Sequence, residues 1–218
     1  MTQPARKIEW LVWAGLCLIV LTVMLVFLTA LIRFRAGHGK PLPVYGDVAA
    51  FTLTNQNGRA VGLADLKGHV WVADIIFTRC AGPCPRMTRQ MEEIQRALPP
   101  ASSARLISLT TDPAFDTPSV LKNYAERFKA DPERWSFLTG PPQKIHELAV
   151  DSLKLTALEK PAKDRESEAD LFIHSTIFVL VDKQARLRGV YETSGEGIDP
   201  QQVKNQILAA IRKLEREP

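Results

Sequence analysis

The nine residues His69 to Phe77, HVWVADIIF, form a nearly continuous apolar, β-branched run. Such a run leaves no face for water, so it predicts a central strand of a sheet covered on both sides. The flanking segments supply helices for the cover. Pro85 suits the first turn of a helix, and Met87, Met91, Ile94, Gln95 and Leu98 continue at helical spacing up to Pro99-Pro100. Leu106 to Thr110 (LISLT) predicts a second strand. Thr117-Pro118 caps a helix with Val120, Leu121, Tyr124 and Phe128 on one face. Trp135 to Leu138 reads as a short strand and Pro141 to about Ser152 as a helix. Beyond the polar stretch Glu159 to Asp170, Ser175 to Asp182 and Leu187 to Tyr191 make a strand pair, and Asp199-Pro200 opens a last helix with Val203, Ile207, Ala210, Ile211 and Leu214 inward. Upstream, Phe51 to Thr54 alternates like a strand and Asn57-Gly58 signals a hairpin turn.

Strands that alternate with helices and close on an antiparallel pair plus a helix predict an α/β domain with a mixed sheet, in the order of a thioredoxin-like fold. In such sheets, sites form in the loops at the carboxyl ends of the parallel strands. The loop after HVWVADIIF is one of these, and it holds Cys80 and Cys84. A helix beginning at Cys84 or Pro85 puts Cys84 at its positive end, where free N–H groups lower a thiol pKa, and Arg79 and Arg86 push the same way. A thiolate there serves disulfide exchange or metal ligation equally. Spacing says more: two intervening residues is the usual redox arrangement, whereas Ala81-Gly82-Pro83 makes a wider loop that can bring both sulfurs to one ion.

Trp10 to Ile32 carries no charged side chain. As a helix its roughly 23 residues reach about 34 Å, enough for a bilayer core of about 30 Å. Leu31-Ile32-Arg33-Phe34-Arg35 is a poor cleavage site, so the segment reads as an uncleaved anchor, with Trp10 and Trp13 at one interface and Arg33 and Arg35 at the other. The expected organisation is a tail over 1–9, a transmembrane helix over 10–32, a linker over 33–47 and one domain over 48–218. Cys17 falls in lipid as a small apolar residue. The net charge of +4 comes from 28 basic and 24 acidic residues scattered without a block, which gives no footprint for nucleic acid.

A two-thiolate site needs a third ligand. His38 lies in the linker and His69 begins a strand at the wrong end, so both are expected in solvent. His146 falls within a helix pattern as a surface or core residue. His174 stands between the polar stretch and the strand that follows, where a loop can deliver an imidazole to the cysteines. Cys80, Cys84 and His174 are three ligands where a structural zinc site wants four, and two soft thiolates plus imidazole suit Cu(I), with Cu(II) accommodated when an oxygen ligand joins.

At these residues the chain resembles the SCO/SenC family of membrane-tethered copper proteins, from about Phe51 to the C-terminus. The resemblance is carried by Cys80-Ala-Gly-Pro-Cys84-Pro85 after an apolar strand, by Leu109-Thr-Thr-Asp112-Pro113-Ala-Phe-Asp116-Thr117-Pro118 followed by LKNYAERF, and by His174-Ser175 entering IFVLVD. It departs from the family in having Ala81 and Gly82 where a proline and an acidic residue are frequent, and Ile173 where Asp is frequent. The resemblance implies a thioredoxin-like domain that binds one copper ion through Cys80, Cys84 and His174. It further implies delivery of that copper to, or maintenance of the thiols of, the dinuclear copper site of cytochrome c oxidase. The implied location is the cell inner membrane, single-pass, with the C-terminal domain in the periplasm. A cysteine pair in an oxidising compartment calls for a thioredoxin-like reductant as partner. The competing reading is a membrane-anchored thiol-disulfide oxidoreductase, which should tolerate loss of His174. Asp112, Pro113 and Asp116 read first as helix-capping and turn residues, and Asp74, a carboxylate inside an apolar strand, as a group that tunes the thiols.

Overall fold

Helix α1, Ala5–Gly37, takes up the whole N-terminal apolar run. Its segment Trp10–Leu31 is long and apolar enough, by length and composition, to cross a membrane. The computed structural model describes residues 5–37, 41–155, 157–159, 172–174 and 176–217, with side chains over 10–31, 41–155 and 176–217. It divides into two units, Met1–Pro41 and Leu42–Pro218, and the second holds the sheet.

The elements of that unit are β1 (Gly46–Asp47), β2 (Thr52–Asn55), β3 (Ala60–Gly62), α2 (Leu63–Leu66), β4 (Trp71–Ile76), α3 (Cys84–Ala97), β5 (Arg105–Thr110), α4 (Pro118–Arg127), β6 (Trp135–Thr139), α5 (Pro142–His146) with a π-helical continuation Glu147–Ser152, β7 (Ala157–Glu159), β8 (Phe172–His174), β9 (Ile177–Val181), β10 (Arg186–Glu192) and α6 (Pro200–Arg216). One eight-stranded sheet has the order β1-β10-β9-β4-β5-β6-β2-β3, and β7 pairs with β8 separately. Strands β4, β5 and β6 are parallel, from Trp71↔Arg105 to Ile76↔Thr110 and from Leu106↔Trp135 to Leu109↔Leu138, and the other pairings are antiparallel. The mixed α/β sheet expected from the strand order is the one found.

HVWVADIIF lies at the centre of this sheet as β4, all six of its residues buried. Alternation along β4 sends Val72 and Ile76 to one face and Trp71, Ala73 and Ile75 to the other. The first face packs under Met87, Met91 and Ile94 of α3, Leu121, Tyr124 and Ala125 of α4, and Ile207 and Ile211 of α6. The second packs against Leu63 and Leu66 of α2, Ile145 of α5, and Leu148 and Ala149 of the π turn. A helix proline sits in the first turn of α3, α4 and α6, where the missing N–H costs no bond. Gly58, at φ +74°, lets the β2–β3 hairpin reverse where Asn57-Gly58 signalled it. Of the polar stretch Glu159 to Asp170, Glu159 ends β7 and the rest lies outside the described residues.

Candidate metal centre

The parallel register of β4 with β5 brings Ile76 level with Thr110, so the chain leaving β4 and the chain leaving β5 emerge side by side at one sheet end. The first becomes the cysteine loop and then α3; the second becomes the turn into α4. Cys80 donates its backbone N–H to the Phe77 carbonyl at 3.3 Å, which curls the loop back on the strand end. Cys84 is the first residue of α3, and Arg86 and Met87 donate their N–H groups to Pro83, each at 3.0 Å. Ala81 and Gly82 between them are exposed, whereas Cys80 is 6% and Cys84 1% accessible. The backbone thus folds both sulfurs inward beneath an exposed bridge.

The two thiols are not joined in a disulfide, and they hydrogen-bond to each other. This corrects the expectation of a depressed thiol pKa. The Cys84 thiol is pushed well up, first by its hydrogen bond with Cys80, then by burial, then by negative charge on Cys80 and Asp74, with only the Phe77 backbone pulling down. The helix end is outweighed, and Arg79 is spent elsewhere: its guanidinium holds Asp112 Oδ2 at 2.5 Å from one terminal nitrogen and 3.1 Å from Nε, and stacks 4.3 Å over the Phe115 ring. Full ionisation of the pair therefore needs a cation brought to the sulfurs or removal of electrons to make a disulfide. Two buried sulfurs within hydrogen-bonding reach are a donor set that fits one soft ion.

Beneath Cys84 the core is polar. The Thr88 hydroxyl donates to the Cys84 carbonyl at 2.8 Å and meets the Tyr124 hydroxyl at 2.9 Å. Burial raises the Tyr124 pKa, and the charges of Cys84 and Asp74 add to this. Asp74 falls between Val72 and Ile76 on the same sheet face, fully buried, and neither carboxylate oxygen reaches a hydrogen-bond partner. Burial raises its pKa to about 7; Ser108, its register neighbour, offsets part of this without reaching bonding geometry. Asp116, also fully buried, accepts from the Thr78 N–H at 3.1 Å, from the Thr78 hydroxyl, and from the Thr110 hydroxyl at 2.5 Å.

The structure brings Cys80 and Cys84 together. The backbone of His174 ends β8, opposite Ala157, and its side chain lies outside the described residues. Its chain position is informative nonetheless. β9 runs antiparallel to β4 with Ala73 opposite Val179, and continuing that register brings Ile177 level with Ile75, at the sheet end that carries the cysteines. Three residues before Ile177, the chain is at His174. His69 lies at the opposite end of β4, its Nδ1 3.0 Å from the Ser103 carbonyl, and His146 is exposed at the end of α5. His38 lies outside the described residues. Among the described residues no group of three His, Cys, Asp or Glu side chains is gathered as a metal site. Sequence reasoning missed Thr78, Thr88 and the Tyr124 hydroxyl. Thr88 stands four residues after Cys84, a spacing that could have pointed to it.

A family model described as SCO1/SenC matches residues 45–212. The SCO1 protein homolog of Bacillus subtilis (strain 168) is 40% identical over 147 residues, 66% of this chain and 73% of that protein. Among solved structures, one that identifies a disulfide switch in BsSco, a member of the Sco family of cytochrome c oxidase assembly proteins, superposes with a TM-score of 0.67 at 31% identity, covering 82% of this chain and all of that one. Bradyrhizobium japonicum ScoI with copper bound superposes with a TM-score of 0.62 at 25% identity, covering 77% of this chain and 99% of that one. With the family match spanning most of the chain and the solved Sco structures sharing its fold, this protein belongs to the SCO1/SenC family.

Proposed function

We propose that this chain is a membrane-anchored copper protein that takes one copper ion on Cys80, Cys84 and His174. Its role is to deliver that copper to the dinuclear copper site of cytochrome c oxidase, or to keep the thiols of that site reduced. The observation that carries this reading is the buried, mutually hydrogen-bonded thiol pair at the carboxyl end of the central strand. A cation between the sulfurs relieves the repulsion that resists their ionisation, so the pair is better suited to hold a soft ion than to present a free nucleophilic thiolate. Copper is cargo in this scheme; the chain contributes two sulfurs, an imidazole and a shielded pocket. Copper in the related ScoI and the assembly role of the BsSco family support it. The apolar segment Trp10–Leu31 would hold the domain to the cell inner membrane as a single pass, with residues 48–218 on the periplasmic side, where a thioredoxin-like reductant keeps the pair open.

The second reading, a membrane-anchored thiol-disulfide oxidoreductase, draws on the disulfide switch of BsSco. One experiment separates them: Cu(I) stoichiometry on the reduced protein for wild type, Cys80→Ala and His174→Ala, with reduction of a model disulfide measured in parallel. The copper reading expects one Cu(I) per chain and sharply weaker binding in both variants. No stable copper, with disulfide reduction that survives His174→Ala, gives the function to the oxidoreductase.

A further inference from the structure

Asp112 and Asp116 lie on the turn between β5 and α4, where a carboxylate ordinarily serves the helix that follows. They do not serve it. The N-cap of α4 is Thr117, whose side-chain oxygen accepts from the Val120 N–H at 3.4 Å. The capping role expected of Asp116 is thus filled by its neighbour, and the turn is closed by backbone, with the N–H groups of Phe115 and Asp116 donating to the Asp112 carbonyl at 3.1 and 2.8 Å. Both side chains instead point across to the start of the cysteine loop. Asp116 takes the N–H and hydroxyl of Thr78, and Asp112 takes the guanidinium of Arg79. Thr78 and Arg79 are the two residues immediately before Cys80.

The two cysteines are therefore held by different elements. Cys84 is fixed by α3, through its carbonyl and Thr88. The two residues leading into Cys80 are fixed from the β5–α4 turn, and the Ala81-Gly82 bridge between the cysteines is exposed. We propose that Asp116, assisted by Asp112, is a positioning residue for the cysteine pair: it holds Thr78 and Arg79 so that the Cys80 sulfur stays beside Cys84 in the open, dithiol arrangement. This rests on the reading of Cys80 and Cys84 as the reactive pair. Closing the pair forms one S–S bond with loss of two protons and two electrons, which oxidised dithiothreitol accepts as its own ring disulfide opens. A loop released at its Thr78 end can follow the sulfurs into the disulfide, so loosening the clamp favours the closed form.

The test uses the full chain in detergent, with Cys17→Ser throughout so that only two thiols are counted. Wild type, Asp116→Asn, Asp112→Ala and Thr78→Val are equilibrated in dithiothreitol redox mixtures, and open pairs are counted by alkylation, with melting temperatures recorded alongside. Asp116→Asn and Thr78→Val are expected to shift the equilibrium threefold to tenfold toward the disulfide, tenfold being about 30 mV for two electrons. Asp112→Ala, which removes only an exposed-side ion pair, should shift it less. An unchanged or opposite equilibrium in the variants, with or without a lower melting temperature, overturns the proposal and leaves these residues a purely structural role. If Asp116→Asn does not fold, Thr78→Val and Asp112→Ala decide. A wild type that neither takes copper nor oxidises defeats the proposed function; one that does both, with unaltered variants, defeats only this inference.

Discussion

A carboxylic acid with no hydrogen-bond partner, sealed inside a central strand, makes stability depend on pH in a direction opposite to a salt-bridged acid. Burial raises the Asp74 pKa to about 7, against an unfolded value of about 3.9. Between these values the folded chain binds the proton more strongly than the unfolded one, so the stabilising effect is complete below about pH 4 and is lost as pH rises toward 7. The loss is at most roughly 4 kcal/mol, from about 1.4 kcal/mol for each tenfold difference in proton affinity between the folded and unfolded chain. Asp74→Asn keeps the shape and removes the titration. Its melting temperature relative to wild type should therefore improve from pH 5 to pH 8; a difference that stays constant across that range would mean that Asp74 does not titrate there. At this scale the sequence was only partly readable. Asp74 was conspicuous because a charge interrupts HVWVADIIF, and the cysteines because of their spacing. The raised Cys84 pKa was not legible, since it depends on how close the sulfurs lie and on how deeply they are buried, and both are products of tertiary folding.

Strand β10 carries a second feature that no local pattern announces. Arg188, 3% accessible, donates to Asp182 Oδ2 at 2.6 Å, Glu217 Oε2 at 2.9 Å, and the carbonyls of Leu42 and Pro43 at 2.9 and 3.1 Å. Asp182 also accepts the N–H groups of Gln184 and Arg186 at 3.0 and 2.9 Å, which makes it the closing residue of the β9–β10 hairpin. Burial disfavours its charge, but these N–H groups and the guanidiniums of Arg188 and of Arg186, the latter 2.8 Å from Oδ2, more than offset that and hold its carboxyl below the usual range. Removing the arginine takes one of two guanidiniums from Asp182 and strips Glu217 and two carbonyls of their donor, at a cost of about 3 kcal/mol. Arg188→Ala should lower the urea midpoint by a corresponding amount, whereas Arg188→Lys, which keeps the positive charge with fewer donors, should lose less. Equal losses in the two variants would show that the charge at position 188 is not what holds this end. Elements with strong apolar patterning were legible, α3 and α6 from side-chain spacing on one buried face and β4 from an unbroken run that buries both. The π turn Glu147–Ser152 was not, since it reads as ordinary helix in sequence. Arg188 was not either, because its partners are 6, 29 and about 145 residues away.

For the whole molecule, the linker expected over 33–47 marked a passage from apolar helix to domain, but composition alone does not say where packing resumes. It resumes at Leu42, which lies against the core. The Leu42 and Pro43 carbonyls cap Arg188, Tyr45 donates to the Leu187 carbonyl, and Val48 donates to the Ala185 carbonyl, both at 2.8 Å. Residues 42–47, expected as linker, therefore pack on this unit: Gly46–Asp47 form the sheet edge beside β10, and the Leu42 and Pro43 carbonyls satisfy a buried cation. The unit from Leu42 onward also contains both faces of the core. A fragment beginning at Pro41 should fold alone, with a melting temperature close to that of the same unit in the full chain. A fragment beginning at Val48 loses the two carbonyl acceptors, the β1 pairing and the Leu42 contact. At roughly 1–3 kcal/mol for a buried donor left unsatisfied, and about 2–4 °C per kcal/mol for a unit of this size, it should melt about 5–10 °C lower. Calorimetry on the two fragments checks this, and equal melting temperatures would place residues 42–47 outside the cooperative unit.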